Sequence, residues 1–105
     1  MSISDKPDVR ERLAADPGWS LQELAGDLAV SPHHLSRTFR AQTGETIARH
    51  RMRIRARMAL ELLAGGECDL AWVAAACGFA DQSHLSRVLT AELARTPSSL
   101  RAALN

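Results

Sequence analysis

Two stretches of this chain spell the same four residues, His34-Leu35-Ser36-Arg37 and His84-Leu85-Ser86-Arg87, fifty positions apart. Each is preceded by a matching apolar frame. Leu21, Leu24, Ala25 and Leu28 in the first copy answer to Leu70, Val73, Ala74 and Cys77 in the second, at an offset of 49. The offset then becomes 50, so the second copy carries one added residue between frame and tetrapeptide. Further on, Thr96 matches Thr46 and Arg101 matches Arg51. A frame spaced i, i+3, i+4, i+7 puts its apolar residues on one face of a helix. The chain must therefore fold as two copies of one small helical unit, which excludes most other architectures of this length.

Local signals give the unit its shape. A short helix over Asp8 to Ala15 offers Val9 and Leu13 as an i, i+4 pair, and Asp16-Pro17-Gly18 turns the chain. Ser20 and Glu23 have capping-box spacing, and Trp19 with Leu24 has the spacing of a hydrophobic staple. Ala29-Val30 makes a tight turn. Ser31 caps a second helix with Pro32 at its first position, Leu35 and Phe39 point inward, and Gly44 closes the unit. Two short helices joined by a tight turn, with Ala where they touch, describe a helix-turn-helix. Thr96-Pro97 starts a short last helix with Leu100 and Leu104.

Between the copies, Thr46 to Ala64 reads as one helix of about five turns, capped by Thr46 and ended by Gly65-Gly66. Ile47, Ala48, Met52, Ile54, Met58, Ala59, Leu62 and Leu63 share one arc and should face the core. Arg51 and Arg55 fall inside that arc. Buried unpaired they would be costly, so they are expected to be structural arginines with acid or carbonyl partners, Glu23, Asp69 and Asp81 being the candidates. Arg49, Arg53 and Arg57 form a stripe on the far side. It reads first as a solvated face, and second as a contact for phosphate or for a partner protein. The expected fold is all-α, about seven helices, with two helix-turn-helix units joined by a long linker helix. The segments are a leader and first helix over 1-18, the first unit over 19-45, the linker over 46-64, and the second unit with its terminal helix over 65-105.

Net charge is only +1, yet the distribution is uneven. From Arg37 to Arg57 there are seven arginines against one acid, Glu45, while the first 27 residues hold six acids against three bases. A basic centre of this kind suits a DNA footprint. No apolar run approaches the ~18 residues of a membrane span, and a cytoplasmic protein is expected. Cys68 and Cys77 match neither a zinc nor a redox spacing, and Cys77 on an apolar face reads as a buried thiol. Histidines 33, 34, 50 and 84 have no ligand partners at metal spacing, so no metal and no cofactor are expected. No catalytic triad, phosphate loop or acid pair stands in a suitable context, so an enzyme is not expected.

The pattern SLQELA followed by VSPHHLSRTFRAQTGET, a linker with RARMALELL, then VAAACGFADQSHLSRV and a terminal TPSSLR resembles the DNA-binding domain of the AraC/XylS family of bacterial transcription regulators. The resemblance runs over about residues 19 to 104. It implies seven helices, a monomer bound to an asymmetric site in double-stranded promoter DNA, and a role as activator or repressor. It also admits a sensing domain in a longer parent chain. His50 and Leu100 stand where the family usually has Tyr, and Ala29 takes a turn position often given to Gly.

The base-reading positions that the resemblance implies fall on His33, Ser36 and Arg37, and on Gln82, Ser83, His84 and Arg87. Removing the inward residues from each second helix leaves nearly the same set, with Arg40 and Ser86 added. Arg37 and Arg87 can fork onto guanine, worth roughly 1–3 kcal/mol of discrimination each, and Gln82 can pair with adenine. Ser20, Ser31, Arg40, Thr46 and Thr96 are candidates for phosphate, which positions without specifying. The bland reading of Arg37 and Arg87 is a surface ion pair. A spacer of about 28 Å, against about 34 Å between successive major-groove faces, lets both units meet one side of a duplex with some bending of the DNA. The rival reading is a helical protein-docking module without DNA affinity.

Overall fold

The structure, a computed structural model, describes residues 8–95, and all regular structure among them is helical. The order is α1 (Val9–Ala15), α2 (Leu21–Asp27), α3 (Pro32–Thr43), α4 (Ile47–Ala64), α5 (Leu70–Ala76) and α6 (Gln82–Arg95). The terminal helix expected from Thr96-Pro97 lies outside the described residues. The chain divides into two compact units, Met1–Arg51 and Met52–Asn105, with the boundary inside α4.

In the first unit, Asp8 caps α1 by accepting from the Glu11 N–H. Ser20 and Glu23 form the reciprocal capping box at the start of α2, both bonds at 3.0 Å. Leu24 and Ala25 are then fully buried, and Val9, Leu13, Leu35, Phe39 and Ile47 are the other buried apolar residues of this unit. α2 packs against α3, and Ala25 is the small residue of its buried face. The turn between them is a Schellman ending, with Val30 N–H on the Ala25 carbonyl at 3.0 Å and Ala29 N–H on Gly26 at 3.2 Å. That ending needs a left-handed residue, and Ala29 supplies it at φ 59°. Gly44, at φ 81°, closes α3 in the same handedness.

The second unit repeats this scheme. Phe79 N–H bonds to Ala74 at 2.8 Å and Gly78 N–H to Ala75 at 3.3 Å, with Gly78 at φ 83°. Its core gathers Ala59, Val73, Ala74, Cys77, Phe79 and Leu85, flanked by Met52, Met58, Leu62, Leu63, Val88 and Leu89. Between the copies, Thr46 caps α4 through the Arg49 N–H at 3.1 Å. Gly66, at φ 104°, ends it with Glu67 N–H on Leu62 and Gly66 N–H on Leu63. The single arc assigned to α4 needs correcting. Ala48, expected inside, is exposed, while Ala56 and Leu60, outside the arc, are buried. In the second unit the buried side of α4 is centred on Ala56, Ala59 and Leu60.

Candidate nucleic-acid interface

In α3 the buried Leu35 and Phe39 fix which way the helix faces. His33, Arg37 and Arg40 are exposed on the side away from the core, and Ser36, half-buried, lies at the edge of that face. In α6, Leu85 is buried and Val88 and Leu89 are half-buried, which turns Gln82, Ser83, Ser86 and Arg87 outward, all exposed. Arg37 and Arg87 occupy the same place in the two copies. Among the described residues no carboxylate pairs with either guanidinium, so the ion-pair reading has no partner to offer.

Three of the hydroxyls proposed for phosphate already cap helices. Ser20 Oγ accepts from Glu23 N–H at 3.0 Å, Ser31 Oγ from His34 N–H at 3.1 Å and Thr46 Oγ1 from Arg49 N–H at 3.1 Å. Accepting in this way uses a lone pair and leaves the hydroxyl hydrogen to donate outward. Capping and phosphate contact are therefore compatible at Ser31 and Thr46, whereas at Ser20 the hydroxyl hydrogen is turned onto the Glu23 carboxylate. At α2 the Ser20 N–H and hydroxyl hold the Glu23 carboxyl below the usual range, so it stays ionised beside that position. Thr96 lies outside the described residues.

The tetrapeptide identity conceals a difference. His34 is exposed, whereas His84 is half-buried with its ring edge-on to Phe79, centroids 5.4 Å apart. The Ala80 N–H points at its Nδ1 at 3.4 Å. The one-residue longer turn of the second copy introduces Ala80 and gives His84 this local task, a consequence visible in the offset change but not drawn from it. Asp81 caps α6, accepting from His84 N–H at 2.7 Å, where α3 has a neutral Ser31.

The two arginines of the apolar arc meet backbone. Arg51 donates through Nη2 to the Trp19 carbonyl, at the start of α2. Arg55 lies against Gly78 in the turn before α6. His50, in place of the family's Tyr, sits edge-on to Phe39 at 5.5 Å and bonds through Nδ1 to Glu45 at 3.0 Å, so an aromatic ring still fills that position. Sequence reasoning passed over Arg12. It is buried and bonds Asp27 Oδ2 through Nε at 2.9 Å and Nη2 at 2.7 Å. No group of three potential metal ligands occurs among the described residues, and no helix there is long and apolar enough to cross a membrane. Cys77 is buried, which pushes its thiol up, and Cys68 is exposed.

A family model described as a helix-turn-helix domain matches residues 24–103. The chain belongs to the AraC/XylS family of transcription regulators, within its helix-turn-helix DNA-binding domain. Family relatives include the HTH-type transcriptional activator RhaR of Yersinia pseudotuberculosis, 40% identical over 67 residues, covering 64% of this chain and 23% of that protein. RhaR of Cronobacter sakazakii is 33% identical over 82 residues, covering 78% of this chain and 29% of that protein. The chain thus spans about a quarter of the length of these curated relatives. A crystal structure described as a DNA-binding transcriptional dual regulator from Escherichia coli K-12 shares the fold, with a TM-score of 0.71 over 97% of both chains at 22% identity.

Proposed function

We propose that this AraC-type domain binds double-stranded promoter DNA sequence-specifically in transcription regulation, with α3 and α6 each entering a major groove. The observation that carries the proposal is the repeated outward face, with exposed Arg37 and Arg87 matched by position and neither engaged by a carboxylate among the described residues. In the proposed roles His33, Ser36 and Arg37 read bases through α3, and Gln82, Ser83, His84 and Arg87 through α6. Ser20, Ser31, Arg40, Thr46 and Thr96 contact phosphate. Arg51 and Arg55 are structural. Meeting successive major-groove faces, the expectation from the length of the Thr46–Ala64 stretch, belongs to the same proposal; footprinting should then show two protected segments about 10 base pairs apart. Acting on promoters puts the protein in the bacterial cytoplasm. RNA polymerase and a sensing domain in a longer parent chain are the further partners proposed, the first because the relatives are named as activators.

The protein-docking alternative has one observation in its favour. The exposed face of α5 is apolar, with Ala71, Trp72, Ala75 and Ala76, where α2 has Gln22, Glu23, Gly26 and Asp27. Fluorescence anisotropy on random duplex DNA decides between the two readings. DNA binding should weaken with salt by roughly one log-log unit per phosphate neutralised. Absence of binding at about 50 mM salt would favour the docking module.

A further inference from the structure

The two helix-turn-helix turns need the same backbone but not the same residue. Ala29 and Gly78 are equivalent, at φ 59° and φ 83°, and each is the left-handed residue of a Schellman ending. Ala29 shows that a side chain is tolerated in that conformation. The handedness of the turn alone therefore does not require glycine at position 78. What differs is what lies above it. A Cβ on Gly78 would come 2.9 Å from Arg55 Nε, 3.1 Å from Cζ and 3.4 Å from Cδ. Three consecutive atoms of the side chain at these distances mean that the guanidinium end lies along the backbone of the turn. Gly78 gives Arg55 room to approach.

Arg55 is half-buried on α4, one turn before Ala59 in the core of the second unit. From there it reaches the turn four residues ahead of Gln82, the first residue of α6. A planar guanidinium can lie flat on a peptide while its N–H groups stay available to oxygens, which an ammonium cannot do. We propose that Arg55, seated on Gly78, is a positioning residue that sets the aim of α6 and hence the base preference read through it. This rests on α6 being a reader, as proposed above. Bidentate base contacts are lost by small displacements, so a slack turn should lower discrimination more than overall binding.

The test joins a stability cycle to a binding panel. Gly78→Ala is made in wild type and in Arg55→Ala, which removes the Cδ, Nε and Cζ atoms that the added Cβ would meet. Ala29→Gly serves as the control for the backbone conformation alone. If Arg55 occupies the space over Gly78, the loss of Tm from Gly78→Ala is much smaller in Arg55→Ala than in wild type. Equal losses in both backgrounds overturn the contact. On duplex sites, Arg55→Met and Arg55→Lys should each lose about ten-fold of the preference among sites altered in the part read by α6. Both should hold the preference in the part read by α3, and binding to random duplex, within about two-fold. Equal loss in both parts, unchanged preference, or full rescue by lysine overturns the positioning role. Should the wild-type protein bind no duplex, the DNA reading fails by itself, and the stability cycle still judges the Arg55–Gly78 contact.

Discussion

Replacing Asp27 with alanine should cost far more stability than removing the arginine it pairs with. Arg12 is 8% exposed, and both Nε and Nη2 bond to the one oxygen of Asp27, at 2.9 and 2.7 Å. Its Nη1 is buried without a partner among the described residues. Asp27→Ala thus leaves a desolvated cation with no counter-charge. Breaking a buried pair from one side costs about 3–5 kcal/mol. The Asp27 side chain is 49% exposed, so water can take part of its place, and about 1.5–3 kcal/mol is expected. Arg12→Met removes the charge, the two bonds and the unsatisfied Nη1 together, keeps an apolar stem against α2, and leaves Asp27 to water. Its cost should be about 0–1 kcal/mol, and the double substitution should resemble Arg12→Met alone. Urea unfolding followed by the fluorescence of Trp19, in a Trp72→Phe background, reports on the first unit. If Arg12→Met costs as much as Asp27→Ala, or if the midpoint shift of Asp27→Ala times the unchanged slope is less than about 0.5 kcal/mol, the desolvation argument is wrong.

Ala29→Gly should stabilise the protein. The left-handed conformation costs an alanine about 1–2 kcal/mol and glycine's greater unfolded freedom returns about 0.5–1 of it, so a gain of about 0.5–1 kcal/mol, or about 2–4 °C in Tm, is expected by calorimetry. Glu23 has its folded pKa lowered, first by the Ser20 backbone N–H and then by its hydroxyl. The unfolded carboxyl therefore takes up a proton at a higher pH than the folded one. The capping box contributes fully at neutral pH, and its contribution is lost as pH falls through the unfolded and then the folded value. Glu23→Gln should flatten that part of the acid stability profile without changing the slope above pH 6.

What was legible in the sequence was local. Ser20 with Glu23, Ser31 with Pro32, Thr46 and Gly66 act within a turn of themselves, and each caps or ends the helix it was assigned to. The apolar frames were legible for the same reason, since Leu24 and Val73, and Ala25 and Ala74, need only helical periodicity to find the core. Long-range pairing was not. Arg12 looks like a surface residue until Asp27, fifteen positions on, is folded against it. Nor does one arc describe α4, where Ala56 and Leu60 are buried and Ala48 is not. His84 shows a third limit. Four identical letters leave His34 exposed and put His84 on Phe79, which stands where the first copy has Val30, with the N–H of the added Ala80 on its Nδ1.

The division of the outward faces into base readers and phosphate holders is tested most directly by comparing Arg87→Ala with Arg40→Ala across a panel of single-substituted duplex sites. Arg87→Ala should flatten preference at one or two positions, by about ten-fold, while the salt slope falls little. Arg40→Ala should weaken every site to the same extent and lower the log-log salt slope by about one. Parallel behaviour of the two variants at every site, or binding that neither alters, contradicts the account.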